Sequence, residues 1–359
     1  MAYSDIKDPS AHFQATTYTG GGANTVVTNG GNSDLKPDFL WIKNRTAGYA
    51  HFVVDSNRNI SYAQNSSNAP YLETDSTAAE NNNQNWMQSV NTDGFTTGIA
   101  EHTNCNSGSA YVAWQWKANG GTTASNTDGS ITSTVQANTD AGFSIVTYTG
   151  NSNNPSSIGH GLGVVPKFYM IRQRDAANAW KVYHSGVATD PEDYVMELNT
   201  TGAREDNAIW NDTGPTSSVI NFTDHGSANQ SGDTYVAYCF AEKQGYSKFG
   251  SYTGNGNADG TFVYTGFKPA MVICKKSSAS GTNWGIIDNK RANSFNQISA
   301  MLNPNSNGSE GANNNCDFVS NGFKWRTSDG NSNASATYIY MAFAENPFVA
   351  SNFVPATAR

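Results

Sequence analysis

The residues closest to chemistry in this chain are Glu73-Thr74-Asp75, followed by Glu80. Retaining glycoside hydrolysis needs two carboxyl groups about 5–5.5 Å apart, and alternate positions on a strand place Glu73 and Asp75 on one face. Glu80, five residues beyond Asp75, falls off that alternation. The corresponding stretches further along, Glu197-Leu198-Asn199 and Met301-Leu302-Asn303, carry no acid pair. Solvated surface carboxylates are the expectation. A second candidate is Asn255-Gly256-Asn257-Ala258-Asp259-Gly260, in which Asn255, Asn257 and Asp259 alternate like the oxygen ligands that open a calcium loop. The bidentate acid expected at the twelfth position is replaced by Gly266, so a tight turn between strands is expected, with no metal and no cofactor. Asp329-Gly330-Asn331-Ser332-Asn333 has the same weakness.

Other chemistries lack their residues. Gly159-His160-Gly161-Leu162-Gly163 is followed by Pro166 and an apolar run rather than by the helix a phosphate loop requires, and reads as a turn. The histidines at 12, 51, 102, 160, 184 and 225 show no zinc spacing. No Gly-x-Ser-x-Gly nucleophile elbow occurs. The cysteines at 105, 239, 274 and 316 form no CxxC pair and are expected as free thiols, some of them buried. No catalytic residue is assigned, and the chain is expected not to be an enzyme. An exposed tryptophan can stack on a sugar. Trp86, Trp210 and Trp325 lie near polar loops and are the glycan-contact candidates, whereas Trp180 and Trp284 occupy matched positions and read as structural.

The elements that would position these residues come from one block that occurs three times. Tyr18-Thr19-Gly20, Tyr148-Thr149-Gly150 and Tyr252-Thr253-Gly254 open the copies. An apolar run follows Pro37, Pro166 and Pro269. Its residues are buried on both faces if the strand is central. The closing runs begin at Tyr111, Tyr235 and Tyr338 and alternate with period two. Val112, Trp114 and Trp116, with Val236, Tyr238 and Phe240, and Ile339, Met341 and Phe343, are therefore predicted core. The reading is an all-β chain of three tandem sandwich repeats of jelly-roll or concanavalin-like type: 1–118, 130–245 and 246–348, each large enough to bury its own core. A flexible linker is expected at 119–129, an extra strand at Ile131–Ala137, and an extended tail at 349–359. Thr77–Val90 allows at most a short helical turn.

Composition agrees. Only 14% of residues are charged while 12% are aromatic. Abundant Asn, Ser, Thr and Gly serve turns and strand surfaces better than helices. With a net charge of −8 and no basic cluster, nucleic acid is not an expected partner. No apolar stretch reaches the roughly 18 residues of a membrane helix, so no membrane insertion is expected. The N-terminus lacks the apolar core of a signal peptide, which points to synthesis in a cytoplasm and no export by its own signal.

Residues 130–350 carry a resemblance. Ile158-Gly159-His160-Gly161-Leu162-Gly163, Trp180-Lys181-Val182-Tyr183-His184, Pro215-Thr216-Ser217-Ser218-Val219, Gly245-Tyr246-Ser247-Lys248-Phe249-Gly250 and Ala342-Phe343-Ala344-Glu345-Asn346-Pro347-Phe348 resemble a repeat domain of tailed-bacteriophage virion proteins. Such proteins are often described as tail-fibre proteins or concanavalin-like, laminin-G-like sandwiches. The first copy is more divergent and lacks the Gly-His-Gly-Leu-Gly string. The resemblance implies a virion surface protein, assembled in the host cytoplasm and contacting other virion proteins. It would be a head decoration protein, a tail-attached appendage or a fibre knob, with host-surface adhesion through a glycan as a further role. No heptads or short repeats of a fibre shaft occur, which favours a compact body. Homotrimerisation is one expected assembly, since three repeats in a chain can mimic a trimer or three chains can make one. The alternatives are a virion-associated glycan-degrading enzyme and a lectin-like adhesin.

Overall fold

The computed structural model describes residues 4, 6–60, 69–82, 86–98, 104–291, 296–312 and 315–347. It is nearly all β, in antiparallel sheets. The first third contributes β1 (Phe13–Thr19), β2 (Val26–Val27), β3 (Phe39–Asn44), β4 (Phe52–Asp55), β5 (Leu72–Glu73), β6 (Met87–Val90), β7 (Phe95–Thr97) and β8 (Ala110–Trp116). In the middle third are β9 (Ala124–Asn126), β10 (Ser133–Asn138), β11 (Phe143–Thr149), β12 (Ser156–Gly159), β13 (Phe168–Gln173), β14 (Lys181–His184), β15 (Tyr194–Glu197), β16 (Glu205–Asp206), β17 (Val219–Phe222) and β18 (Thr234–Phe240). The last third holds β19 (Ser247–Thr253), β20 (Phe262–Tyr264), β21 (Phe267–Lys276), β22 (Gly285–Asp288), β23 (Cys316–Val319), β24 (Gly322–Trp325) and β25 (Thr337–Pro347).

Each third has a large sheet and a small one. The order β1-β8-β3-β4 recurs as β11-β18-β13-β14 and as β19-β25-β21-β22. The small sheets are β2-β7-β6, β12-β17 and β20-β24-β23. The Tyr-Thr-Gly motif has a mechanical role. Tyr18, Tyr148 and Tyr252 stack on Tyr111, Tyr235 and Tyr338 across the opening and closing strands, with ring centroids 5.1, 5.0 and 5.1 Å apart. Their hydroxyls donate to the backbone carbonyls of Asn104, Ala228 and Ser332 at 2.9, 2.7 and 2.6 Å. This ties down the loop that precedes each closing strand. A Cβ at Gly20, Gly150 or Gly254 would stand 2.3, 2.3 or 2.1 Å from a carbonyl oxygen of that same loop, so only glycine fits.

The nine closing-strand residues are buried as expected, but not where expected. The opposite face of each closing strand, with Tyr111 and Ala113, Tyr235 and Ala237, or Tyr338 and Tyr340, packs inside its own sandwich. Val112, Trp114, Trp116 and their six counterparts belong to one cluster that runs through all three thirds. At its centre Trp116, Phe240 and Phe343 form a triangle with ring separations of 6.2, 5.4 and 5.9 Å. The three large sheets therefore enclose a fourth, shared core. That is why β3 and β13 are buried at every position and β21 at all but its last.

Residues 119–129 are not a free tether, because β9 lies within them and pairs with β10. The Gly-rich stretch is a sheet edge whose backbone bonds outweigh its loop-like composition. The extra strand appears as β10, shifted to Ser133–Asn138. Within Thr77–Val90 the described residues form no helix, and Met87–Val90 is a strand. The tail at 349–359 lies outside the described residues.

Candidate functional site

The polar chemistry of the molecule concentrates where one third meets the next. Asp55 and Arg58 pair at 2.5 Å with fully buried side chains. Glu80 bridges Arg58 at 2.7 Å and takes a two-pronged contact from Arg174 of the middle third at 2.9 and 2.7 Å. Tyr238 completes the cluster: its hydroxyl donates to Asp55 at 2.5 Å and accepts from Arg58 at 2.9 Å. The junction between the last and first thirds repeats the design. Asp288 and Arg291 pair at 2.6 Å, Arg291 reaches Glu310 at 2.9 Å, and Arg45 grips Glu310 at 2.9 and 2.8 Å. Here Trp114 Nε1 donates to Asp288 at 2.9 Å.

At the remaining junction the matching positions are His184 and Val187. Gly186 N donates to His184 Nδ1 at 2.9 Å, which leaves Nε2 to donate to the Tyr340 carbonyl at 3.0 Å. Burial lowers the His184 ring to about 4, so it is neutral near pH 7. Glu80 is held below the ordinary carboxylate range: burial pushes it up, but Arg174 and Arg58 together outweigh burial. The ring of contacts closes through Trp180 Nε1, which donates to the Glu73 carbonyl at 2.8 Å, and Trp284 Nε1, which donates to the Glu197 carbonyl at 2.9 Å. At the third place stands His51, forced well below its ordinary value by burial and then by Lys43 and Arg291.

Three buried cations occupy matched positions near the ends of β3, β13 and β21, and each reaches a carbonyl of another third. Lys43 donates to Asn307 O at 3.1 Å, Lys275 donates to Thr201 O at 3.4 Å, and Arg172 donates to Ala78 O. Burial lowers both lysines to about 8 and Arg172 to about 10.

Against this frame the expected site residues sort plainly. Asp75 lies past the end of β5, so it does not share a strand face with Glu73. Its Oδ1 accepts from His51 N at 2.8 Å. Asn199 and Asn305 do the same for Trp180 N and Trp284 N, each at 2.9 Å. An amide performs the role twice, which makes Asp75 a backbone cap. Glu73 and Asp75 are both raised, by burial first; Asp75 raises Glu73 further.

The loop at Asn255, Asn257 and Asp259 is a turn. Asn255 Oδ1 and Asn257 Oδ1 accept from the backbone two residues on, each at 3.0 Å. Asn333 Nδ2 sits among Asn255 Oδ1, Asn257 O and Thr327 O at 2.9, 2.9 and 2.7 Å. An amide nitrogen thus fills the space a cation would need. Asp259 faces outward and pairs with Lys324 at 2.7 Å. Among the described residues no group of three or more His, Cys, Asp or Glu side chains could hold a metal ion.

The glycan-contact tryptophans are displaced from the surface. Trp86 is 8% exposed and Trp210 and Trp325 are 0% exposed. Each fills the core of its own third, because a wide indole is needed to bridge a large and a small sheet. All four cysteines are buried. His160 caps its own turn by accepting from Leu162 N at 3.2 Å.

Sequence reasoning missed the ion clusters, although Asp55-Ser56-Asn57-Arg58 and Asp288-Asn289-Lys290-Arg291 repeat an Asp-x-x-Arg spacing at matched positions. It also missed the exposed rings of Phe262 and Tyr264.

Fold and site together define an all-β protein of packed antiparallel sheets whose charged groups serve its internal junctions. A family model described as a domain of unknown function (DUF7483) matches residues 8–347, and the chain belongs to that family. One family domain thus spans all three thirds, as a shared core requires. No curated protein and no solved structure matches the chain.

Proposed function

We propose that this chain is a non-enzymatic structural protein of the tailed-bacteriophage virion surface, a head decoration protein or tail-attached knob that also adheres to host-surface glycan. The observation that carries this reading is the closed three-membered ring of thirds. The junction acids Asp55, Glu80, Asp288 and Glu310 are consumed by Arg58, Arg174, Arg291 and Arg45 rather than aimed into a groove. A body with three similar outer sandwiches suits repeated contact with neighbouring virion proteins, and its single-chain ring takes the place of a trimer. The resemblance of residues 130–350 to phage virion repeats supports the location. The test is electron microscopy of purified phage particles labelled with antibody against this chain. Label on every particle is expected; its absence from all particles overturns the proposal.

One observation favours a second reading, a glycan-degrading enzyme: the Glu73 carboxyl is raised beside Asp75. Polysaccharide cleavage that is abolished by Glu73→Gln and by Asp75→Asn would establish it. Cleavage that is absent, or unchanged in both variants, removes it.

A further inference from the structure

The outer face of the small sheet in the last third exposes two aromatic rings. Phe262 is 46% and Tyr264 59% exposed, while Val263 between them is 6% exposed and belongs to the core. Strand pleating therefore directs both rings outward on one face, about 7 Å apart along β20. The fold does not need them there. Pairing register aligns Phe262 with Val26 and Ser157, and Tyr264 with Thr28 and Gly159. Two sister sheets thus form without aromatic rings at the same places, the first with Val26 66% exposed.

The neighbouring strands supply the rest of the surface. Opposite Phe262 stands Lys324, and opposite Lys324 stands Asp317. Opposite Tyr264 stands Gly322, whose lack of a side chain makes room for the edge of the Phe262 ring: a Cβ there would lie 3.1 Å from Phe262 Cε2. A ladder of alternating charge borders the rings: Asp259 pairs with Lys324 at 2.7 Å and with Arg326 at 3.5 Å, and Arg326 pairs with Asp317 at 2.7 Å.

We propose that this face is a binding platform for an uncharged oligosaccharide, with Phe262 and Tyr264 as stacking surfaces. The electron-rich face of an aromatic ring attracts the slightly positive C–H face of a pyranose. Adjacent acid and base groups offer paired acceptors and donors to vicinal hydroxyls. Two acids against two bases give the border no net charge, so it favours a neutral chain over a sulfated or uronic one. The rings lose little freedom on binding, because each has only two side-chain torsions. This site deepens the adhesion arm of the proposed function, and its test uses the isolated chain, so failure here leaves the virion placement untouched.

The experiment is titration calorimetry of the full chain with cellohexaose, chitohexaose and mannohexaose, and with a sulfated hexasaccharide for comparison. It is repeated on the F262V/Y264T variant, which installs the residues of the first third and keeps the fold. At least one neutral hexasaccharide is expected to bind with a micromolar to millimolar Kd. The double variant should weaken that binding at least tenfold, Val26→Ala should leave it unchanged, and the sulfated chain should bind no better. Absence of binding to all three neutral probes, or binding unaltered in the double variant, overturns the proposal. A monomer–dimer equilibrium in light scattering that F262V/Y264T abolishes, without sugar binding, would assign the face to a second copy of the chain and overturn it as well.

Discussion

Truncating Phe240 to alanine tests the shared core directly. The ring touches Phe143 within its own third at 4.7 Å, and Trp116 and Phe343 of the other thirds at 6.2 and 5.9 Å. Removing a buried phenylalanine costs about 4 kcal/mol. If the three thirds melt as one body, about 340 residues unfold together with an entropy of about 0.7 kcal/mol/K, and Tm falls by about 6 °C in a single transition. If the middle third unfolded alone, about 105 residues would carry about 0.2 kcal/mol/K, and its own transition would fall by nearly 20 °C while the others stayed in place. Differential scanning calorimetry of wild type and Phe240→Ala separates these outcomes. One calorimetric peak, shifted as a whole, is expected. Resolved peaks with only one displaced would refute the claim that a common core joins the chain.

The ion clusters predict a second contrast. Arg58→Ala leaves Asp55 buried without its countercharge and Glu80 with Arg174 alone, and should cost about 3–5 kcal/mol in urea unfolding, whereas Lys248→Ala, at a partly exposed pair with Glu242, should cost about 1 kcal/mol or less. His184 makes stability depend on pH: its folded value near 4 lies below the 6.5 of the free ring, so the unfolded chain binds more protons between those values. Stability should therefore fall as pH drops from 6.5 towards 4, by about 3 kcal/mol from this residue, and His184→Gln should flatten urea midpoints measured across that range. Asp75→Asn should stay within about 0.5 kcal/mol of wild type, since Asn199 and Asn305 already fill that role, while Asp75→Ala strands the His51 amide and should cost about 1–2 kcal/mol; equal losses in both would contradict the cap assignment.

Much of the architecture was legible in the residue order. Period-two alternation fixed which side chains of the closing strands go inside, and the recurring Tyr-Thr-Gly, proline and closing runs marked matching strands, because strand geometry is local and repeats with its sequence. The strands after the prolines read as covered on both sides, and they are. The glycan-contact tryptophans could not be placed, since a polar neighbour in sequence says nothing of what lies across a sheet, and the acid pair failed because β5 stops at Glu73.

Alternation distinguishes inside from outside but carries no label for which inside. Trp116, Phe240 and Phe343 were marked as buried by their order alone, yet only tertiary structure could bring them to one point, because each comes from a different third and none meets its partners through local chain geometry. Arg174 and Arg45 became structural for the same reason, as the acids they neutralise are nearly a hundred residues or more away in sequence. The chain wrote its strands, turns and buried positions residue by residue, while desolvation of three apolar faces at once, a long-range effect, decided that they close on one another.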